Sequence, residues 1–100
     1  MFLAILTYKA AIEKIDASLA DHIAFLDKYF AKKKFICSGR RNPRVGGVIL
    51  MNVNDRQEAL DIAHEDPFFQ RGLADYEVIE FTPTKYDPDF EGFVKPSADQ

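Results

Sequence analysis

The sequence has few of the residues that build disulfide or metal frameworks. Among its 100 residues are one cysteine, Cys37, and two histidines, His22 and His64. A single cysteine excludes an internal disulfide, and this set is too small for the ligands of a structural zinc site. We therefore expect no bound metal and a protein of a reducing compartment, the cytoplasm.

Positive charge is not in excess, and no hydrophobic run is long enough to span a bilayer. The sequence has 13 Lys and Arg residues against 16 Asp and Glu residues, a formal charge of -3. This balance creates no overall field that would attract a phosphate backbone or an anionic lipid surface. The apolar segment 2–8 has no basic region before it and is far too short to be a transmembrane helix. We expect neither nucleic acid nor a membrane as a partner.

Glycine-rich nucleotide fingerprints are also missing. Gly46-Gly47 is too short for a phosphate loop, and no such motif follows a predicted strand. With five Gly, five Pro and 47% hydrophobic residues, the composition is typical of one ordinary globular domain. We expect no nucleotide or other cofactor.

Apolar runs of strand length and helical repeats alternate along the first 85 residues. The predicted strands are 2–6, 35–38, 48–53 and 76–82. Ser18 with Asp21 three positions later is a capping-box pattern, which predicts the start of a first helix. Leu19, Ile23, Leu26 and Phe30 continue that helix at a spacing of three or four residues.

A second helix is predicted to begin at Asn54, with Gln57 three positions later. It must end near Asp66, because the residue before a proline is pushed out of the α region. Pro67 then opens a short helical turn that Gly72 closes. Beyond the domain of residues 1–85, the acidic, proline-containing segment 86–100 is predicted to be a C-terminal tail, either loose or packed on a neighbour.

The element order β-α-β-β-α-β predicts an α+β fold of the ferredoxin-like type. Its antiparallel strands would lie in the order four, one, three, two, with both helices on one face of the sheet. This topology gathers at one end of the domain several residues that are distant in sequence. They are Tyr8, His22, Arg40, Arg41, Arg44 and Asp66.

The first and third predicted strands are apolar at consecutive positions, as in strands that are buried on both faces. Two helices cover only one face of the sheet. A second copy stacked sheet to sheet would cover the other, because soluble monomers rarely expose large apolar patches. We expect a homodimer or a higher homo-oligomer.

His22 and Asp66 each have a structural and a functional interpretation. His22 lies on the inward face of its helix, where it is either a core histidine bonded to a carbonyl or a group that transfers protons near neutral pH. Asp66 either caps the turn at Pro67 or holds the imidazole, and a carboxylate has enough acceptor positions for both.

The basic loop after the second strand is equally open to two interpretations. Arg40, Arg41 and Arg44 either bind an anionic substrate through forked hydrogen bonds or form a solvated surface. Tyr8 either lines the same pocket or contributes to packing. Arg40, Arg41, Arg44 and Tyr8 are therefore the predicted substrate-binding residues, and the predicted substrate carries a carboxylate or phenolate group.

Three motifs resemble the YciI-like (YCII-related) family of the dimeric α/β barrel superfamily. They are the segment 22–26, the turn Ser38-Gly39 followed by residues 43–49, and Asp66-Pro67-Phe68 with Gly72-Leu73. The resemblance implies an active-site pair of His22 and Asp66, a small-molecule site and a dimer or larger assembly. Relatives include a dehydrochlorinase and muconolactone-isomerase-like enzymes. This chain departs from the family at Arg40, where proline is common.

The resulting hypothesis is a small-molecule enzyme that performs cofactor-independent acid–base chemistry of the lyase, dehydrohalogenase or isomerase kind. The alternative is a non-catalytic ligand-binding or accessory module of the same fold. An RNA-binding domain of this topology needs aromatic residues on its central strands, and the predicted strand 48–53 has none.

Overall fold

Four antiparallel strands form one sheet with helices packed against it. The computed structural model describes residues 1–94. Its elements are β1 (Phe2–Tyr8), α1 (Ile12–Ala17), α2 (Leu19–Ala31), β2 (Phe35–Arg40), β3 (Gly46–Met51), α3 (Arg56–Ala63), α4 (Pro67–Gln70), β4 (Ala74–Glu80) and a 3-10 helix, Pro88–Phe93.

The strand order in the sheet is β2-β3-β1-β4. This order, and the antiparallel pairing of β1 with both β3 and β4, confirm the predicted ferredoxin-like α+β fold. The two predicted helices correspond to α2 and α3. The chain therefore places the start of α2, the end of β1 and the end of α3 at one end of the domain.

A short helix, α1, precedes α2 and was absent from the sequence prediction. Ser18 lies between the two helices, but its side chain does not cap α2. Instead, Ser18 Oγ accepts a hydrogen bond from Arg71 at 2.9 Å, and Asp21 accepts one from the same guanidinium at 2.7 Å. The predicted capping box is wrong because a residue beyond α4 binds both of its members.

The predicted start of the second helix is one residue too early. Asp55, not Asn54, is the N-cap residue of α3, and its Oδ1 accepts from the backbone N–H of Glu58 at 2.8 Å. The end of this segment follows the prediction more closely. Asp66 caps α4, and Gly72, with a φ of 71°, follows that helix in the left-handed region that glycine adopts most easily.

The helix-facing side of the sheet carries two groups of buried residues. The larger group contains Phe2, Ala4, Phe25, Tyr29, Phe35, Ile49, Met51, Val53, Ala59, Ile62, Ala63 and Val78. The smaller group lies at the end of the domain where α2 begins and consists of Leu6, Ile15, Phe68 and Ala74. This smaller group forms the base of the site described below.

The opposite face of the sheet is apolar as well. Side chains alternate along a strand, so Leu3 and Ile5 of β1 point away from the helices, as do their register partners Leu50 and Val48 of β3. These four are partly exposed, and Ile79 of β4, opposite Leu3, is 42% exposed. Sheet-to-sheet dimerisation remains a prediction for this face.

The predicted tail, 86–100, lies partly outside the described residues, which end at 94. Within it, the 3-10 helix Pro88–Phe93 has no buried residue. Over residues 1–94, no helix is both long enough and apolar enough to cross a membrane.

Candidate functional site

A buried carboxylate, Asp66, is the centre of the site. Its residue is 0% exposed and lies between α3 and α4, in the extended conformation that a following proline favours. Oδ1 accepts from the backbone N–H of Phe68 at 2.9 Å, which caps α4, and lies 2.9 Å from His22 Nδ1. Oδ2 accepts from the Tyr76 hydroxyl at 2.5 Å. One carboxylate thus joins α2, α4 and β4.

The imidazole of His22 is held in one orientation by two contacts. One is the bond to Asp66, and the other is the ring of Phe68, which stacks on it with centroids 4.2 Å apart and an interplanar angle of 9°. An ionised carboxylate can only accept hydrogen bonds, so we assign the proton of the neutral ring to Nδ1. Nε2 is then the nitrogen that can exchange a proton with a ligand.

His22 borders a cavity of about 440 Å³, which opens between α2 and the β2–β3 end of the sheet. This volume lies in the range of small-molecule sites. The apolar side chains on the helix side of its wall are those of Leu6, Leu19, Ile23, Leu26 and Ile49, and Val48, whose side chain points to the other sheet face, borders it as well. The polar side chains on the wall, besides His22, are Tyr8, Asp16, Ser38, Arg40 and Arg44.

Gly46, which borders the cavity, lets β3 approach β1 closely. A Cβ built there would lie 1.8 Å from the carbonyl oxygen of Leu6, a distance that no side chain tolerates. The sequence therefore needs glycine at this strand position because of backbone proximity, not because of a turn.

The three predicted arginines differ in their surroundings. Arg44 lies on the cavity wall and forms an ion pair with Asp16 of α1 at 2.6 Å, and this hydrogen bond is the main cause that raises the pKa of Arg44. Arg41 is not on the wall. Its guanidinium donates to Thr7 Oγ1 at 3.0 Å, and Thr7 alternates onto the sheet face away from the helices.

Arg40 combines the two properties that a ligand-binding cation needs. It lies on the cavity wall, and its side chain forms no hydrogen bond or ion pair within residues 1–94. Tyr8 also lies on the wall, with its ring nearly perpendicular to that of Phe68 at a centroid distance of 5.9 Å.

The remaining titratable candidates lie outside the cavity. His64 stacks on Phe69 at 4.4 Å, and Cys37 is exposed in β2. No group of three or more His, Cys, Asp or Glu residues in the described part of the chain is arranged to hold a metal ion.

Sequence reasoning missed Tyr76 and the stacking role of Phe68. Tyr76 falls on the helix-facing side of β4, two positions from the buried Ala74 and Val78. Strand alternation alone predicts that it points toward the helices. Its partner, Asp66, lies 10 residues earlier in the sequence. The short helix α4 separates the two residues, and no local sequence pattern connects them.

Comparisons with known proteins identify the family of this chain and agree with its fold. The family model of the YCII-related domain matches residues 1–82. Among solved structures, the chain is similar to 5-chloro-2-hydroxyhydroquinone dehydrochlorinase from Burkholderia phenoliruptrix AC1100 in complex with 2,5-dihydroxybenzoquinone. The TM-score is 0.68 at 19% sequence identity, over 81% of this chain and 93% of that chain. A comparison with curated proteins finds no match.

Proposed function

This chain belongs to the YCII-related domain family, and we propose that it is an enzyme that performs cofactor-independent acid–base chemistry on a small anionic molecule. The observation that carries the proposal is the 2.9 Å contact between His22 Nδ1 and the buried Asp66, at the border of a cavity. A histidine oriented by a carboxylate is a recurrent arrangement for proton transfer.

His22 is the proposed general base or acid. With Nδ1 engaged by Asp66, Nε2 takes a proton from a substrate carbon or returns one to it. Asp66 keeps the ring oriented and stabilises the imidazolium that forms when the proton arrives. The ring of Phe68, stacked on one face of the imidazole, supports the same orientation.

The proposed reaction is an elimination or a proton shift. In an elimination, Nε2 removes a proton from carbon, and the electron pair of that C–H bond forms a new double bond. The leaving group, a halide or hydroxide, departs from the adjacent carbon with the electron pair of its own bond. In a proton shift, the proton taken by Nε2 is returned to another carbon. Neither reaction needs an external oxidant or reductant.

The proposed substrate is a single ring with a carboxylate or phenolate group. The apolar wall of the cavity suits the ring, and the guanidinium of Arg40, which has no partner within residues 1–94, suits the anion. Arg44 and Tyr8 are secondary candidates on the same wall, whereas Arg41 is excluded from the proposed site by its bond to Thr7. The structural neighbour, a dehydrochlorinase solved with a dihydroxybenzoquinone, supports a ring of this kind.

We further propose a cytoplasmic homodimer that stacks through the apolar sheet face of Leu3, Ile5, Val48 and Leu50. Partial exposure of these side chains in one chain supports a partner. The exposed, unpaired Cys37 suits a reducing compartment.

A non-catalytic binding module is the second candidate. It is favoured by the fact that Asp66 already has a structural role as the N-cap of α4. Both candidates predict ligand binding, but only the enzyme moves protons at carbon.

The test is a two-step screen of small carboxylates, phenols and hydroxyquinones. Ligands that raise the melting temperature are found first, and each is then incubated with the protein in D₂O. The enzyme proposal expects NMR to show deuterium entering a carbon position, or loss of a leaving group, at a rate above that without protein. Tight binding without either change would favour the binding module and overturn the enzyme proposal.

A further inference from the structure

Tyr76, which does not line the cavity, is bound to the candidate dyad through the second oxygen of Asp66. Its hydroxyl donates to Asp66 Oδ2 at 2.5 Å, while His22 and the Phe68 N–H share Oδ1. Within residues 1–94, the Tyr76 hydroxyl is the only hydrogen-bond donor to Asp66 Oδ2. The hydroxyl is therefore needed to satisfy a buried oxygen, and it competes with His22 for the charge of the same carboxylate.

The phenol of Tyr76 remains a hydrogen-bond donor at every pH at which the protein would work. Burial is the main cause that raises the pKa of Tyr76, and the nearby charge of Asp66 adds to it. A phenolate facing a buried carboxylate would place two negative charges in a site of low polarity, which is strongly unfavourable.

We propose that Tyr76 is a positioning residue that sets the proton affinity of His22 through Asp66. By donating to Oδ2, it withdraws electron density from the carboxylate and weakens the hold of Asp66 on an imidazolium. His22 is then free of its second proton, and ready to act as a base, at a lower pH than it would be without the tyrosine. This inference rests on the proposed function only where it describes His22 as a base that acts on a substrate.

Other charged and titratable groups surround the cavity, and none of them bonds to the imidazole within residues 1–94. They are Tyr8 from β1, Asp16 from α1, Arg40 from β2 and Arg44 from the β2–β3 loop. Asp21, on α2 itself, is paired with Arg71. Asp66 is therefore the contact through which a change at Tyr76 reaches His22.

The first test is an NMR titration of the His22 ring in Tyr76→Phe, which removes one oxygen atom and no ring. The inference predicts that the midpoint of the His22 titration rises by about half a pH unit to one unit, since the lost bond is to a charged group. Tyr29→Phe is the matched control. Tyr29 donates to Glu65 at the same 2.5 Å, outside the site, and its removal is expected to leave the His22 midpoint unchanged.

A second variant tests the opposite sign and does not depend on Tyr76→Phe folding. Replacing Tyr76 by 3-fluorotyrosine keeps the ring and the hydroxyl but makes the hydroxyl a stronger donor. The inference predicts a lower His22 midpoint in this variant. An unchanged midpoint in either folded variant, or a shift of the wrong sign, would overturn the inference and leave Tyr76 as a packing residue.

The titration needs no substrate, so it separates this inference from the proposed function. A shifted midpoint in a protein that turns over nothing would support the role of Tyr76 while the enzyme proposal failed. If a substrate is found, the acidic limb of its rate profile is expected to move with the NMR midpoint in both variants. An acidic limb that stays fixed while the midpoint moves would overturn the role of Tyr76 in setting the working base.

Discussion

The ring of Phe68 lies almost parallel to the imidazole of His22, with 4.2 Å between centroids. Phe68 is 0% exposed, and its own backbone N–H donates to the carboxylate that binds His22. One residue thus supports the imidazole both through its ring and through the carboxylate. The orientation of His22 is therefore fixed before any ligand enters.

His22→Gln is expected to lower turnover by about 10²- to 10⁴-fold, the usual contribution of general acid–base catalysis. The glutamine retains a donor for Asp66 but has no titratable group. Steady-state kinetics on the substrate from the screen measures the effect, and circular dichroism checks the fold. His64→Gln is the matched control, because His64 also stacks on a phenylalanine but lies outside the cavity. Equal activity in both variants would contradict the role of His22.

Asp66→Asn is expected to abolish most activity while retaining the cap of α4, because asparagine is about as good an N-cap as aspartate. The amide has only one acceptor oxygen for the three donors and cannot stabilise an imidazolium by charge. We expect a rate loss of about 10²-fold or more and an unfolding free energy lower by about 1–3 kcal/mol.

Asp55→Asn is the matched control for that variant. Asp55 is also an N-cap whose carboxylate accepts a backbone hydrogen bond, from the Glu58 N–H at 2.8 Å in α3, but it lies outside the site. Kinetics and urea denaturation of the two variants separate capping from catalysis. If Asp55→Asn lost as much activity as Asp66→Asn, the charge of Asp66 would have no special function.

Arg40→Met is expected to weaken the binding of an anionic ligand by about 10- to 100-fold, the equivalent of one hydrogen bond to a charged group. Arg41→Met is the control, since Arg41 is adjacent in sequence and binds Thr7 instead. Titration calorimetry at low and high salt measures both, and only Arg40→Met should reduce the salt dependence. If ligand binding weakened equally in the two variants, the overall positive charge of the loop, and not a specific contact of Arg40, would explain the effect.

Leu50→Asp is expected to dissociate the proposed dimer, because it buries a charge where two sheets would meet. Sedimentation equilibrium should give a mass above 11.4 kDa for the unmodified protein and that of one chain for the variant. Ile12→Asp adds the same charge at an exposed apolar residue of α1 and should leave the assembly intact. A single-chain mass for the unmodified protein would contradict the dimer.

Glu65 is expected to contribute stability that is lost in acid. A hydrogen bond from Tyr29 is the main cause that lowers the pKa of Glu65 below its ordinary value of 4.5, and Lys28 adds to it. A lowered pKa in the folded state means that this stability is present above the unfolded value and is lost as the pH falls through the folded one. The side chain is 42% exposed, so solvent screens the effect.

Urea denaturation at about pH 6 and about pH 3 tests this expectation. Glu65→Gln should lose less stability between the two conditions than the unmodified protein does. Glu80→Gln, which changes an exposed residue of β4, is the control. An identical loss in Glu65→Gln and in the unmodified protein would show that Glu65 has no such role.

The fold was predictable because its main signals are local. The end of α3 and the start of α4 follow from a proline and its preceding residue, and the strand order follows from the element order. α1 was not predictable, since its six residues are too few to show a repeat and Ala11 before it provides no side-chain cap. The capping box at Ser18 failed because Arg71, 53 residues away, provides the competing bond.

The site was predictable only to the level of which residues share an end of the domain. Topology brings His22 and Asp66 together, but it does not distinguish Arg40 from Arg41. That difference depends on strand alternation at the end of β2 and on a bond across the sheet to Thr7. The contact between Tyr76 and Asp66 could not be predicted, because the position of Asp66 relative to β4 is set by tertiary packing and not by local sequence.

The bond from Tyr76 to Asp66 also has a consequence for the order in which the protein is made. β4 is the last strand of the described sheet and pairs along its whole length with β1, the first. During synthesis, His22 and Asp66 leave the ribosome before Tyr76 does. Asp66 Oδ2 therefore gains its donor only after β4 has emerged and docked on β1. Completion of the site thus requires the first and last strands of the described sheet to be paired.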